Sequence, residues 1–321
     1  MRPAAASVLG AIGETPAVFL DRIAPAGGAR IVAKLEFYGP TGSHKDRVAL
    51  ALVEAAERRG DIAPGMTLVD YTGGNTGAAL AAVCALKGYR CMVVCSDAYS
   101  VEKLRSMAAL GAEVEVLPSR GRAVNPDLVP RLIARAEQLG RRPGSFYLDM
   151  HHREEPVLAG MAVGRELLEQ VPGPIGAFCC GFGTGALLTG VARAMRDGAS
   201  GAHVVALEPA ASAVLSGGCS GAHRIEGIGY GFVPALIDRG LIDEVLAVDE
   251  GRARRCARLL ASTEGIFAGT SSGFNVAGAV ALASRLGPGH VVATACCDTG
   301  FKYVSGDLFD GVHPAGRAPR P

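Results

Sequence analysis

Residues 66–96, "MTLVDYTGGNTGAALAAVCALKGYRCMVVCS", hold a short β-branched run, a glycine turn, a helical stretch from about residue 76 and a second apolar run. That order is a βαβ unit. Two strands joined through a helix lie parallel, because the chain crosses back over the sheet before the second strand begins. The same alternation extends in both directions. Upstream stand "RIVAKLEF" and a helix from about residue 45; downstream stand the helix "VEKLRSMAALG" and the run "AEVEVL". After the loop-like "RRPGSFYLDMHHREEP", the helix "VLAGMAVGRELLEQ" opens a second series, with strands at "IGAFCC", "HVVALEP", "EVLAVD" and "HVVATACC". The expected fold is α/β, in two domains, each with a mostly parallel twisted sheet flanked by helices. The expected domains are residues 1–150 and 151–321, with residues of about 12–36 free to cross into the other sheet. The Pro/Gly-rich tail "GVHPAGRAPRP" is expected to be unordered.

The composition narrows the partners. The 321 residues are 49% hydrophobic and 20% charged, with a net charge of +1, so there is no field to recruit nucleic acid or an anionic membrane. No run approaches the roughly 18 apolar residues of a membrane span, and the apolar part of "MRPAAASVLGAIGETP" is short for a signal peptide. The cytoplasm is the expected compartment, and small molecules are the expected partners. Nine cysteines, an odd number with two adjacent pairs in strand-like runs, read as reduced core residues. No C-x-x-C pair occurs, and "MHHREE" fits no common zinc spacing, so no metal is expected and that segment reads as a solvated loop or hinge.

In parallel sheets, ligands bind past the C-terminal strand ends, where turns and helix starts present backbone N–H groups. Four such junctions are rich in glycine or hydroxyls: "GPTGSHKD" at 39–46, "YTGGNTG" at 71–77, "GFGTGALLTG" at 181–190 and "CCDTGFKY" at 296–303. The third has two readings. Gly181, Gly183 and Gly185 suit a phosphate cup at a helix start; "GFGTGA" also fits a dinucleotide fingerprint, with Glu208 at the end of the next strand as its ribose acid. The other junctions favour the first reading. A lysine doing covalent chemistry needs a carbonyl cofactor, and pyridoxal 5'-phosphate needs an amine, a phosphate cup and a partner for its pyridine nitrogen. Lys45, the turn at 181–187 and Thr299 supply one of each.

With these in place, "GPTGSHKDR", "TGGNTG", "GFGTGALLTG", "HRIEGIGYGF", "EGIFAGTSSG" and "DTGFKY" resemble the ordered motifs of the cysteine synthase family of pyridoxal-phosphate enzymes, from about Gly13 to about residue 309. The resemblance implies the fold type II, tryptophan synthase β-like architecture and a homodimer. Lys45 matches the family's Schiff-base lysine, Asn75 the contact to the ring hydroxyl, and Thr299 the hydroxyl at the pyridine nitrogen, with Asp298 beside it as the rival. Gly181, Gly183, Thr184, Gly185, Ala186 and Leu187 match the phosphate turn. Thr72, Gly73, Gly74 and Thr76 match the loop that takes the substrate carboxylate, while Met150 and Gly227 fall at further substrate positions. His44, next to Lys45, is expected to face away if the segment is extended, and the hydroxyls of "GTSSG" (Thr270, Ser271, Ser272) suit either cofactor contact or helix capping.

A hydroxyl at the pyridine nitrogen leaves the ring uncharged and a weaker electron sink than a carboxylate would. Expulsion of a group from Cβ is then favoured. The implied activity is β-replacement on an activated serine, of O-acetylserine or O-phosphoserine type, through an aminoacrylate that a small nucleophile attacks. Three departures bear on the substrate and the cup: Gly73 stands for a serine, Met150 for a glutamine, and Ala186 and Leu187 for a glycine and a threonine. They raise the alternative of a specialised non-protein amino acid as product. A serine or threonine deaminase and, from a different class, an NAD-dependent oxidoreductase built on "GFGTGA" are the competing readings.

Overall fold

The computed structural model describes residues 4–122 and 127–310; the tail from residue 311 lies outside the described residues. The chain opens with two strands, β1 (Ala17–Phe19) and β2 (Arg30–Leu35), followed by helix α1 (Lys45–Arg59). It then builds a four-stranded sheet from β3 (Thr67–Tyr71), β4 (Arg90–Ser96), β5 (Glu113–Leu117) and β6 (Ser145–Tyr147), in the order β5-β4-β3-β6, all parallel. The crossovers are α2 (Asn75–Lys87), α3 (Val101–Ala109) and α4 (Leu128–Gly140). β6 arises within the stretch read as a loop from sequence.

The second half runs α5 (Glu155–Gln170), β7 (Ala177–Gly181), α6 (Ala186–Asp197), β8 (His203–Pro209), β9 (Glu244–Val248), α7 (Glu250–Glu264), α8 (Thr270–Leu286) and β10 (Val291–Cys296). Its sheet has six strands in the order β1-β2-β10-β7-β8-β9, parallel except for β1. β2 therefore lies in the far sheet, with Val32 opposite Ala293 of β10. Its side chains alternate between two buried faces: Ile31, Ala33 and Leu35 pack with Phe274 of α8 and Leu260 of α7, whereas Val32 packs with Val163 and Leu167 of α5 and Val191 of α6. A parallel strand covered on both faces by helices needs such a continuous apolar run.

Lys34 is the exception on β2. It is fully buried, and its Nζ reaches Glu166 of α5 at 2.6 Å and Gln170 at 2.8 Å. Arg47, in the first turn of α1, completes the group with Glu166 (2.6 Å) and Glu36 (2.8 Å). Burial alone would raise the Glu166 carboxyl, but hydrogen bonds from Arg47 and Lys34 outweigh it and hold the group at about 2. Opposed charges that satisfy one another make the burial tolerable, and they moor the start of α1 to both β2 and α5. Eight of the nine cysteines are buried, all nine are free thiols, and Cys219 alone is exposed. Among the described residues, no helix is long and apolar enough to cross a membrane.

Candidate active site

The C-terminal ends of β3, β7 and β10 converge on one cleft with about 770 Å³ of atom-free space open to solvent. Lys45, at the first position of α1, projects into it. Among the described residues, the Lys45 Nζ has neither a hydrogen bond nor an ion pair, and burial lowers its pKa to about 8, against a smaller upward pull from Cys297 and Asp70. A lysine so placed is partly neutral near physiological pH, the condition for a nucleophilic amine. The loop before it is stitched to the far sheet by His44 N–H donating to the Cys297 carbonyl at 3.0 Å. His44 has helical backbone angles (φ −57°, ψ −15°), so the alternation expected of an extended segment does not apply and its ring lines the cleft.

One wall is the turn after β3. Thr72, Gly73, Gly74, Asn75 and Thr76 all line the cleft, with Met150 beside them. Gly73 leaves no room for a side chain: a Cβ would stand 2.8 Å from Cε1 of Tyr99, whose ring fills the space. The Asn75 amide is held at both ends, Nδ2 donating to Asp298 at 2.8 Å and Oδ1 accepting from Lys302 at 2.8 Å. Lys103 of α3 lies buried against this turn and pairs with Glu226 at 2.6 Å across the cleft.

The facing wall is the turn after β7. Gly181 N–H donates to Asn275 Oδ1 at 2.7 Å, and the Phe182 carbonyl accepts from Gly229 at 3.2 Å. At Gly183 a Cβ would lie 2.3 Å from the Gly227 carbonyl oxygen, a backbone approach that only glycine permits. Gly183, Thr184, Gly185 and Leu187 line the cleft, and α6 starts directly behind them. A glycine turn that opens a twelve-residue helix presents backbone N–H groups and the positive end of a helix dipole, which suit an anion.

Residues 8–298 match the family described as pyridoxal-phosphate dependent enzyme, and a cysteine synthase of Staphylococcus aureus is 38% identical over 300 residues, spanning 93% of this chain and 95% of the relative. The chain belongs to the cysteine synthase family of pyridoxal-phosphate-dependent enzymes. An O-ureido-L-serine synthase of Streptomyces lavendulae is 39% identical over 308 residues, covering 95% of this chain and 93% of the relative. Among solved structures, an O-ureido-L-serine synthase superposes with a TM-score of 0.88 at 38% identity over 98% of both chains. A cysteine synthase of Entamoeba histolytica gives 0.89 at 29% identity, covering 98% of this chain and 94% of the other.

The residues of this pyridoxal-phosphate enzyme fit the cofactor: a free buried amine faces an anion turn in which a Cβ would close the cradle. Two expected contacts fall elsewhere. Thr299 does not line the cleft, because the chain turns after β10 and its hydroxyl caps residues 300–303, accepting from Phe301 N–H at 3.4 Å. Asp298 does not line the cleft either; its Oδ2 accepts from Asn75 and, at 2.7 Å, from the Tyr303 hydroxyl. Ser271, in the first turn of α8, carries a hydroxyl and does line the cleft. Ala186 lies behind the turn, lining a smaller cavity with Pro156 and Val163, and its N–H donates to Thr184 Oγ1 at 3.3 Å.

The dinucleotide reading loses its acid. Glu208 is fully buried and accepts from Leu215 N–H at 2.8 Å, Ser216 N–H at 3.2 Å and the Ser216 hydroxyl. His151, read as part of a solvated loop, is instead buried, stacked on Tyr71 at 4.8 Å and hydrogen-bonded to its hydroxyl; burial lowers its pKa to about 3, so it is neutral. Sequence reasoning missed Tyr99, Lys103, Glu226, Tyr230 and Asn275. Only Glu226 and Tyr230, inside the quoted "HRIEGIGYGF", carried a positional signal.

Proposed function

We propose that the enzyme catalyses β-replacement on an activated serine of O-acetylserine or O-phosphoserine type, with a small nucleophile taking the place of the leaving group. The observation that carries this is the unpaired Lys45 amine facing the backbone-built anion turn across one cleft. Pyridoxal phosphate, when bound, supplies the electron sink that acidifies the substrate's α-carbon. Gly183, Thr184, Gly185 and Leu187 would hold its phosphate through backbone N–H groups, and Asn75 would contact the ring. Ser271, which lines the cleft, would supply the hydroxyl for the pyridine nitrogen, the role expected of Thr299. A hydroxyl there would leave that nitrogen uncharged, which would favour loss of a Cβ substituent. Lys45 Nζ takes the α-proton, while the loop from Thr72 to Thr76 binds the substrate carboxylate and excludes water.

A specialised amino-acid product is the second reading. Gly73 backed by Tyr99, and Met150 where a hydrogen-bonding side chain is expected, favour it, and one relative is named for such a product. We further place the enzyme in the cytoplasm as a homodimer. Nine free thiols suit a reducing compartment, and the homodimer follows the family resemblance.

The test is spectroscopic. Purified enzyme should carry a visible absorbance band that Lys45→Ala abolishes, and addition of O-acetylserine, O-phosphoserine or serine, one at a time, should red-shift it. A colourless protein removes the roles given to these residues; a coloured one that responds to none of the three removes the β-replacement reading alone.

A further inference from the structure

The turn that faces the phosphate is poor in hydroxyls. Leu187 closes it with an apolar side chain, leaving Thr184, whose Oγ1 accepts from Ala186 N–H at 3.3 Å and keeps its own O–H to donate, as the one hydroxyl on the turn. A phenol approaches the same turn from the opposite side. Tyr230 lines the cleft with its hydroxyl 3.0 Å from the point where a Cβ on Gly183 would stand, and among the described residues that hydroxyl has no hydrogen-bond partner.

The approach is built into the fold. The loop carrying Tyr230 is fastened over the turn by Gly229 N–H on the Phe182 carbonyl at 3.2 Å and by the Gly227 carbonyl against Gly183. The ring is flanked by His151 at 6.0 Å and Phe232 at 6.1 Å between centroids, and His151 is itself fixed by Tyr71. Burial pushes the phenol up to about 12, so it keeps its proton and can donate to an anion. We propose that the Tyr230 hydroxyl donates a hydrogen bond to the cofactor's phosphate, standing in for the side-chain hydroxyl that Leu187 does not supply. This rests on the turn from Gly183 to Leu187 being the phosphate site.

The test compares pyridoxal phosphate with pyridoxal, which lacks the phosphate. Wild-type enzyme and Tyr230→Phe are each equilibrated with one or the other, and half-saturation is read from the visible band and from cofactor retained after dialysis. A hydrogen bond to a charged group is worth roughly tenfold to a hundredfold in affinity. Tyr230→Phe should lose about that much for pyridoxal phosphate and less than about twofold for pyridoxal, and adding Leu187→Thr to the variant should restore part of the loss. Equal losses for both ligands, no loss for either, or a raised KM for the amino acid at unchanged cofactor affinity each overturn the proposal. If wild-type enzyme itself binds pyridoxal as tightly as pyridoxal phosphate, the fault lies with the phosphate turn and not with Tyr230 alone.

Discussion

The turns after β3 and β7 share one grammar, strand then glycines then helix, yet they are held in different ways. The turn after β7 is fixed from within its own half of the molecule: Asn275 of α8 takes the Gly181 N–H, and Gly227 and Gly229 press against its backbone. The turn after β3 is fixed from the other half as well as its own. Asp298 and Lys302 clamp Asn75, and Lys103, which lies against Gly74, is paired with Glu226. On the roles proposed above, a phosphate turn preformed in one half would face a substrate loop that contacts from the other half help to shape. Affinity for the cofactor should follow the first turn, and turnover of substrate the second.

The largest effect expected from breaking this division is at Gly183. In Gly183→Ala the new Cβ meets a carbonyl oxygen at 2.3 Å with no flexible side chain to yield, so cofactor affinity should fall by at least about a hundredfold, alongside a stability loss of about 1–3 kcal/mol. Retained cofactor, measured after dialysis, checks it. Next is Asp298→Asn, which weakens the clamp on Asn75 from the far half. We expect kcat/KM to drop about tenfold, the scale of one charged hydrogen bond, with cofactor affinity within about threefold of wild type. Equal collapse of both quantities would erase the distinction between the turns.

Gly73→Ser sharpens the comparison on a smaller scale. Its Cβ meets only a ring edge, at 2.8 Å from Tyr99 Cε1, so the cost should be about 1 kcal/mol and should shrink when Tyr99→Ala is combined with it, a coupling that a double-mutant cycle in urea would measure. The mildest probe is pH. Because burial lowers the Lys45 amine to about 8, labelling by an amine-directed reagent in cofactor-free enzyme should rise with pH and reach half its maximum at about 8. A midpoint at the ordinary lysine value of 10.5 would mean that water reaches the amine freely.

The alternation of strands and helices was legible because the central strands are apolar on both faces and each feeds a helix. β1 and β6 were not, since three residues are too few to show a period. That β2 belongs to the far sheet is a non-local pairing that no local pattern encodes. At the site, Lys45 and the two glycine turns stood out by composition, and the structure brings them to one cleft. Thr299 was set against Asp298 by strand alternation, which does not reach them, because β10 ends at Cys296 and the chain turns. Tyr99, Lys103 and Asn275 were invisible for another reason: each is an ordinary residue on a helix or loop whose role comes from what folding sets opposite it.

The stitching of the Lys45 loop to the end of β10 also sets the order of events at the ribosome. His44 and Cys297 are 253 positions apart, and β2 has no parallel neighbour until β10 has been made. The strands of the four-stranded sheet, Thr67 to Tyr147, are contiguous in the chain and can pair early, but the lysine that precedes them must wait for nearly the last strand synthesised. An unfinished chain thus carries Lys45 without the cleft around it, and that cleft closes only once β10 is in place.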